Sequence, residues 1–333
     1  MRTIFITFLL FCFSCNHLIK NEEAKVEDEV LNNTLEENKN NTSITEKPLN
    51  IKPINKAGDI IGNWVGWFRK KENSEKDYYE DKRDIHAGEG FGWGRENKIC
   101  LVIEKIEGDN VSGHSVVAGN QRVFKGKISE SDTSFLIIAN EPGDNKYDGT
   151  FNFYANKGDF SINGKWKAFK KIEIQEREYK LSRKNFIYNS AQQLSKESYK
   201  RYIDWEKGEK EYKKPKNLTE EEGEEFFRET SEEFVSATEK IYEINASTAE
   251  LTKADVENLT KGDLLIIRNM IYARHGYSFK NRPLRVFFDA QEWYIPVHTD
   301  IKKDLTEIEK KNIQLLLKYE KNAKEYYDYF GRG

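Results

Sequence analysis

The sequence predicts an α+β protein in which an antiparallel β-barrel or sandwich domain is followed by a small helical C-terminal domain. Between Asp59 and Tyr179, short runs of alternating apolar and polar residues are separated by tight-turn residues, with no helical run among them. After Leu251, helix-capping pairs precede runs that place apolar residues on one helical face. A chain of 333 residues, 37% hydrophobic and 33% charged, is long enough for two modest cores joined by polar segments.

The N-terminus has the pattern of an export signal. Arg2 precedes a run from Ile4 to Phe13 that is apolar apart from Thr7. The run is shorter than the roughly 20 residues that a membrane-spanning helix needs, and it fits a signal-peptide core of about 7–15 residues. Ser14-Cys15 then resembles the lipobox of bacterial lipoproteins. That resemblance implies a signal peptide over 1–14, cleavage before Cys15 and acylation of Cys15, with an ordinary secretory peptide or an uncleaved anchor as the alternatives.

Charge and cysteine content exclude two further classes. The formal net charge is −3, and removal of Arg2 would make it 53 − 57 = −4, so the chain lacks the positive footprint of a nucleic-acid-binding protein. Cleavage would leave Cys100 as the one internal cysteine besides the acylated Cys15. No intramolecular disulfide is then expected, and stability must come from a buried core.

Residues 15–56 are predicted to be a disordered tether. From Asn16 to Lys56 the chain is rich in Asn, Glu and Lys and has no sustained apolar period. A flexible coil of this length reaches roughly 35 Å. The stretch Lys20 to Glu23 resembles the acidic export signals of surface lipoproteins. We therefore expect a membrane partner through the lipid anchor and an outer-membrane, outward-facing location in the bacterial cell envelope.

Residues 57–180 are predicted to form the β domain. Alternating runs flank a turn at Gly108 to Asn110, which is a strong hairpin signal, and two more strands flank Asn156 to Gly158. The opening Gly62-x-Trp64 resembles the start of lipocalin-like barrels, although no closing-strand Arg is identified. That resemblance leaves open a cavity for a small lipophilic ligand or a closed, solid barrel.

The glycine-rich stretch from His86 to Lys98 does not fit a phosphate-binding loop, because a strand follows it where a helix is required. We expect it to expose Trp93 as a contact residue at the barrel rim. The five histidines of the chain occur singly, without metal-ligand spacing, so no cofactor and no metal are predicted.

Residues 181–252 are predicted to be a charged, amphipathic helical connector. Thr219 and Glu222 have capping-box spacing. The apolar residues that follow lie on one helical stripe with a solvated charged face opposite; they are Phe226, Phe227, Phe234, Ala237 and Ile241.

Residues 253–333 are predicted to be helical. Thr260 and Asp263 form a second capping pair, and the helix that follows is expected to end at Gly276, a residue type favoured in the left-handed position after a helix. Arg274 and His275 fall in its last turn, where the helix dipole favours cations. Pro283 suits the first turn of a short helix running to Asp289. Thr306 and Glu309 cap a last helix.

The helical wheel places Arg274 and His275 on different faces of the helix. Arg268, Tyr272 and His275 share a face with Leu264 and Ile271, whereas the side chain of Arg274 lies about 100° from that of His275. We therefore predict that Arg268, Tyr272, His275 and Gly276 have structural roles and that Arg274 is the more exposed residue. Buried polar groups need partners. Either the following segment supplies them through Asp289, Glu292 and backbone carbonyls, or these groups face a cleft that a ligand fills.

The segments IRNMIYARHGYSF, LRVFF, WYIP and LTEIEKKNIQLL resemble, in this order and spacing, the YARHG domain, whose name spells Tyr272 to Gly276. The resemblance covers roughly Leu259 to Tyr319. In that family the domain occurs on exported bacterial proteins, often with an N-terminal lipid anchor. The resemblance implies a cellular location and a segment that folds as a unit. It implies no activity, because none is established for the domain.

These features predict a lipid-anchored envelope protein that acts as a binding or structural module for an envelope, glycan or protein partner. Arg274, Trp293, Tyr294 and Trp93 are the expected partner-binding residues, because planar and cationic groups are typical of recognition surfaces. A carrier of a lipophilic ligand is the alternative. A hydrolase is less favoured, because Cys100 has no neighbour suited to activate it.

Overall fold

The computed structural model describes residues 52–71, 96–197, 202 and 236–323. It confirms the predicted fold class: a closed antiparallel β-barrel of eight strands is followed by a small helical region. The predicted signal peptide and most of the predicted tether lie outside the described residues, as does most of the connector, including Phe226, Phe227 and Phe234. None of the helices in the described ranges is both long enough and apolar enough to cross a membrane.

The barrel is an up-and-down meander in which each strand pairs with its neighbour in sequence, and the first strand pairs with the last. The predicted hairpin is confirmed: Glu107 pairs with Asn110, and Gly108 in the intervening turn has φ 58°. The strands are β1 (Gly62–Lys70), β2 (Asn97–Glu107), β3 (Asn110–Val117), β4 (Asn120–Glu130), β5 (Ser134–Asn140), β6 (Gly149–Asn156), β7 (Ser161–Ala168) and β8 (Glu176–Arg183).

One end of the barrel is closed by a 3-10 helix, Ala57–Ile60, and by a tryptophan–arginine contact. The indole of Trp64 donates to the carbonyl of Ile60 at 2.7 Å. The guanidinium of Arg183 lies 5.0 Å from the Trp64 ring centre and donates to the carbonyls of Asp59 and Ile61. Arg183 is thus a closing-strand arginine that the sequence analysis did not find. Ile54 is also buried in this core, so packing begins before residue 57.

The barrel interior is packed with aromatic side chains. The Phe68 ring centre lies 6.4, 5.7 and 6.1 Å from those of Phe151, Trp166 and Tyr179. Phe124 packs against Phe151 at 5.9 Å, and all five side chains are buried. These distances are those of contacting rings, so the middle of the barrel is a close-packed core.

The helical region contains a 3-10 helix (Glu239–Tyr242) and four α-helices, named here α1 (Lys253–Val256), α2 (Lys261–Arg274), α3 (Arg282–Asp289) and α4 (Glu307–Glu320). Both predicted capping boxes are present, Thr260 with Asp263 at α2 and Thr306 with Glu309 at α4. Pro283 occupies the first turn of α3, as predicted. In the described part of the connector, Ile241 lies in the 3-10 helix, a tighter helix than the expected α-helix.

The helical region packs against the outer wall of β1, β2 and β3. Val65, Cys100 and Val116 point outward from these strands and form a buried cluster with Val297. The amide of Gly119, in the β3–β4 turn, donates to the hydroxyl of Ser278 at 2.9 Å. This packing also buries the Cys100 thiol, and desolvation raises its pKa to about 12, as expected for an unreactive structural cysteine.

Candidate functional site

The Arg-His-Gly segment ends α2 with a glycine cap. His275 is the C-cap residue of α2, and Gly276, the residue after it, has φ 69°. The amide of Gly276 donates to the carbonyl of Ala273 at 2.9 Å, and that of Tyr277 donates to Tyr272 at 3.1 Å. These two hydrogen bonds define a Schellman motif. The prediction that Gly276 holds a left-handed conformation is therefore confirmed.

His275 belongs to a buried three-residue cluster. Its Nε2 lies 2.8 Å from Oε2 of Glu309, and Tyr188 donates its hydroxyl to Oε1 of the same carboxylate at 2.9 Å. The Tyr188 ring stacks on the imidazole with 4.2 Å between ring centres. His275 is 5% exposed, so its predicted burial is confirmed.

Glu309 joins the cluster to the start of α4. Its carboxylate accepts the backbone N–H of Thr306 at 2.9 Å and so completes the α4 capping box. Burial alone would raise the pKa of Glu309, but the hydrogen bond and charge of His275 and the Thr306 amide outweigh burial and lower the pKa. The fold therefore holds a fully buried carboxylate in its charged form, next to a histidine.

Arg274 is buried at 2% exposure, so the prediction that it is exposed is wrong. Its Nε donates to the carbonyl of Gln192 at 2.8 Å, and its Nη1 donates to the hydroxyl of Ser247 at 3.1 Å. Desolvation lowers its pKa to about 10, against the opposing charges of Glu309 and Tyr188. The helical wheel took account of one packing face of α2, but Gln192 and Ser247, near the two ends of the predicted connector, cover the other side.

Arg268 is buried as predicted and forms a two-point ion pair with Glu320 of α4. Nε and Nη2 lie 2.9 and 3.3 Å from the two carboxylate oxygens. The segment after α2 offered Asp289, Glu292 and backbone carbonyls as possible partners of the buried cations, but the acidic partners of Arg268 and His275 are Glu320 and Glu309. The partners of Arg268 and His275 come from α4, beyond the segment considered, because α4 packs along α2.

Tyr294 is 1% exposed and donates its hydroxyl to the carbonyl of Tyr277 at 2.6 Å, so its prediction as an exposed contact residue is also wrong. Trp293 is half-buried against the helical core. Tyr272 is partly buried in the same core. Trp93 and the proposed lipid-attachment residue Cys15 lie outside the described residues. Burial thus removes the physical reason for assigning Arg274 and Tyr294 to a binding surface.

A buried set of hydrogen bonds around Lys98 joins the barrel to the helical region. The backbone N–H of Lys98 donates to Oδ2 of Asp289 at 2.9 Å, and Lys98 Nζ donates to the carbonyls of Gln291 and Tyr294 at 2.7 and 3.0 Å. Desolvation lowers the pKa of Lys98 to about 8 and raises that of Asp289 to about 7. Sequence reasoning missed Lys98, because a lysine on the outward face of a strand is ordinarily solvated. The apolar outward residues Val65, Cys100 and Val116 are the signal that something covers that face.

The buried side chains around His275 and the two arginines are arranged to stabilise the fold. A histidine 2.8 Å from a carboxylate is a geometry that general bases use, but here Tyr188 covers the imidazole and the Glu309 carboxylate is fully buried. Within the described ranges, no group of three or more His, Cys, Asp or Glu residues is placed to hold a metal ion. Arg268, Arg274 and His275 instead tie α2 to α4 and to the flanking loops.

The structure thus defines a two-part protein, a closed β-barrel with a helical domain built around the arginine–histidine end of one buried helix. The sequence model of the YARHG domain matches residues 239–321, so the chain carries a C-terminal YARHG domain. The match begins at the 3-10 helix before α1, about twenty residues earlier than the sequence resemblance indicated. Comparison with curated proteins and with solved structures gave no match.

Proposed function

We propose that the protein is a lipid-anchored protein of the bacterial cell envelope in which the barrel and the YARHG domain form one rigid binding or structural module. The observation that carries this proposal is the internal pairing of the YARHG residues. Arg268, Arg274 and His275 bind groups of the same chain, so the domain acts as a scaffold. The contacts of Lys98 with Asp289 and of Gly119 with Ser278 fix this scaffold to the barrel.

The packed barrel interior favours a surface-binding role over a carrier role. A carrier of a lipophilic ligand needs an apolar cavity of about 300–1,000 Å³, whereas Phe68, Phe151 and Tyr179 meet ring to ring inside this barrel. Recognition of a cell-wall, glycan or protein partner would then use the outer surface.

The anchor is proposed from the sequence. Acylation at Cys15 would hold the chain at the outer membrane, and the tether would let the barrel sample about 35 Å of the space beyond it. Polar residues from Asn16 onward and the acidic stretch after Lys20 favour an outward-facing position.

Fractionation tests the anchor. Wild-type protein is expected in the membrane fraction with an acyl mass on its N-terminal peptide, and Cys15→Ser should lose both. Cys100→Ala is the matched control, because its thiol is buried in the barrel wall and its loss should leave the fractionation unchanged. Equal fractionation of wild type and Cys15→Ser, with no acyl mass, would refute the lipoprotein assignment.

Co-sedimentation tests the binding role. Cys15→Ser protein, which lacks the proposed lipid anchor, is expected to sediment with isolated cell-envelope material at a saturable level. An unrelated acidic protein of similar size should remain in the supernatant. Failure to sediment above that control would refute the binding role.

A further inference from the structure

A shallow groove lies on the outer side of α4, where this helix meets the segment before α1. The groove has a volume of about 320 Å³. Its floor is apolar, because Leu251 and Leu315 are only partly buried against the helical core. The side chain of Asn312 holds the two walls together, since it accepts the Leu251 amide at 2.8 Å and donates to two carbonyls of the opposite segment. Hydrogen bonds therefore fix the shape of this groove.

The two ends of the groove differ in charge. At one end Lys311 pairs with Glu250 at 2.9 Å, so its charge is neutralised. Lys318 lines the other end, two helical turns further along α4, and it makes no ion pair with any residue in the described ranges. The two lysines are about 10 Å apart along the helix, at 1.5 Å per residue. The groove thus presents an unpaired cation beside an apolar floor.

The described part of the chain stops near the Lys318 end of the groove. The helix α4 ends at Glu320, and in the turn that follows the amide of Asn322 donates to the carbonyl of Tyr319 at 3.0 Å. Ala323, the last described residue, packs against the helical core. The chain therefore still lies on the domain where the description stops. The sequence model of the YARHG domain ends at residue 321, so the residues that follow are additional to the domain.

The next ten residues, 324–333, lie outside the described residues and are called here the tail segment. Their sequence is KEYYDYFGRG, in which four residues are aromatic and two are acidic. Aromatic side chains each bury about 150–250 Å² when they pack, so a run so rich in them favours a contact surface. In an extended chain every second side chain points to the same side, which places Glu325, Tyr327 and Tyr329 in one row.

We propose that the groove is the docking site of the tail segment of the same chain. Running back along α4, the tail segment would bring Glu325 to Lys318 and the rings of Tyr327 and Tyr329 onto the apolar floor. The row from Glu325 to Tyr329 is about 13 Å long at 3.3 Å per residue, which matches the groove of about 10 Å. Glu325 is about 7 Å beyond Ala323, a sufficient reach because Lys318 lies in the last turn of α4.

Size and covalent linkage favour the tail segment over a separate partner. Pockets that hold small ligands have volumes of about 300–1,000 Å³, so this groove takes a few side chains and no more. A contact of that size is weak between separate molecules. A short linker raises the effective concentration of an attached segment to the millimolar range, and it thereby makes a weak contact persist. In its row Glu325 is the residue whose charge is opposite to that of Lys318.

Chymotrypsin, which cuts after aromatic residues, reports whether the tail segment is docked. In full-length protein, cleavage within residues 324–333 is followed by mass. Leu315→Asp places a charge on the floor of the groove and should raise the cleavage rate at least ten-fold. Ile308→Asp is the matched control, because Ile308 is 37% exposed on the first turn of α4 and does not line the groove. It should change the rate less than two-fold. Equal rates in wild type and Leu315→Asp would overturn the proposal.

A charge exchange tests the pairing without altering the apolar floor. Lys318→Glu and Glu325→Lys should each raise the cleavage rate about three-fold or more, and the double variant should return to nearly the wild-type rate. Lys303→Glu, the same change at an exposed position outside the groove, should leave the rate unchanged. A double variant that is cleaved as fast as the single variants would overturn the docked arrangement.

A synthetic peptide of residues 324–333 tests the occupant directly. It should bind saturably to full-length Tyr327→Ala/Tyr329→Ala protein, whose own tail segment has lost two rings, and at least ten-fold more weakly to wild-type protein, whose groove is filled. Equal binding to the two proteins would overturn the proposal. The chymotrypsin rate of wild-type protein should also be independent of protein concentration. A rate that falls as the concentration rises would overturn docking within one chain in favour of a second copy.

Discussion

The barrel and the YARHG domain build their interiors from different chemistry. The barrel core is apolar and largely aromatic, and its buried acids Glu141 and Asp148 lie in the connection between β5 and β6. The core of the helical domain is crossed by buried charged and polar side chains, namely Arg268, Arg274, His275, Asp289 and Glu309. Apolar packing tolerates substitutions of similar volume, whereas a buried charge is costly once its partner is removed. The YARHG domain should therefore be the region more sensitive to single substitutions.

The largest effect is expected at Gly276. A Cβ there would lie 2.7 Å from both Phe186 Cε2 and Val297 Cγ2, and the backbone φ is +69°. Gly276→Ala should therefore destabilise the protein by about 2–5 kcal/mol, from overpacking of about 1–3 and left-handed strain of about 1–2 kcal/mol. Thermal or urea unfolding of the full-length protein measures this change.

A barrel glycine supplies the control for Gly276. Gly158 has φ +88°, but a Cβ there would meet nothing within 4 Å. Gly158→Ala should thus show the conformational strain alone, about 1–2 kcal/mol. If the two variants lose the same stability, contacts of the new Cβ with Phe186 and Val297 do not add to the backbone strain at Gly276. The YARHG domain would then be no more sensitive than the barrel at these two glycines.

The next effect compares two histidine–glutamate pairs. His275→Ala leaves Glu309 buried without its imidazole partner and should cost about 3 kcal/mol. In the barrel, His114 pairs with Glu104 at 2.7 Å, but the Glu104 side chain is 54% exposed. His114→Ala should cost less than about 1 kcal/mol, because water replaces the lost partner. Equal unfolding midpoints for the two variants would contradict the assignment of the YARHG cluster as a structural network.

The same contrast explains what the sequence could predict. The strands, the hairpin at Gly108, both capping boxes and the left-handed Gly276 were predictable, because each depends on residues close together in the chain. The partners of the buried charges were not, because they lie far away in sequence: Glu309 is 34 residues from His275, and Asp289 is 191 residues from Lys98.

Arg274 shows why a helical wheel fails inside such a domain. The wheel assumes one apolar face and one solvated face, but α2 has buried residues around its circumference, including Ile266, Met270 and Ala273. A helix enclosed on all sides buries polar residues wherever loops supply hydrogen bonds. The partner of Trp64 could not be predicted either. Arg183 lies on β8, and it contacts Trp64 because β8 pairs with β1 in the closed barrel.

The buried carboxylate of Glu309 should make the stability of the protein depend on acid pH, with a smaller effect than the substitutions above. The pKa of Glu309 is lowered in the folded protein from its ordinary value of 4.5. A carboxylate with a depressed pKa stabilises the fold above its unfolded pKa, and this contribution is lost as the pH falls through the folded pKa. The stability difference between wild type and Glu309→Gln should therefore be full above pH 4.5 and shrink below it.

Glu307 provides the control for the acid dependence, because it lies in the same turn of α4 with its side chain 83% exposed. The stability difference between wild type and Glu307→Gln should stay small and nearly constant from neutral to acid pH. Urea unfolding at a series of pH values distinguishes the two. A Glu309→Gln difference that does not shrink below pH 4.5 would mean that the carboxylate is not held in its charged form.

The smallest effect concerns the junction between the two regions. Ser278 of the YARHG domain is 2% exposed and accepts the Gly119 amide of the barrel at 2.9 Å. Ser278→Ala should cost about 1 kcal/mol, the net value of one hydrogen bond with its buried donor left unpaired. Ser131→Ala, which removes hydroxyl bonds in an exposed barrel turn, should cost less than about 0.5 kcal/mol.

Hydrogen exchange gives this last prediction a local readout. The Gly119 amide should exchange faster in Ser278→Ala, while amides in the paired centre of β5 and β6 keep their protection, because the variant loosens the junction without unfolding the barrel. If Gly119 exchanges equally fast in the wild type, the hydroxyl bond does not hold the two regions together. The barrel and the YARHG domain would then be held together by their other contacts, among them those of Lys98 with Asp289 and Gln291 and the apolar contacts of Val297.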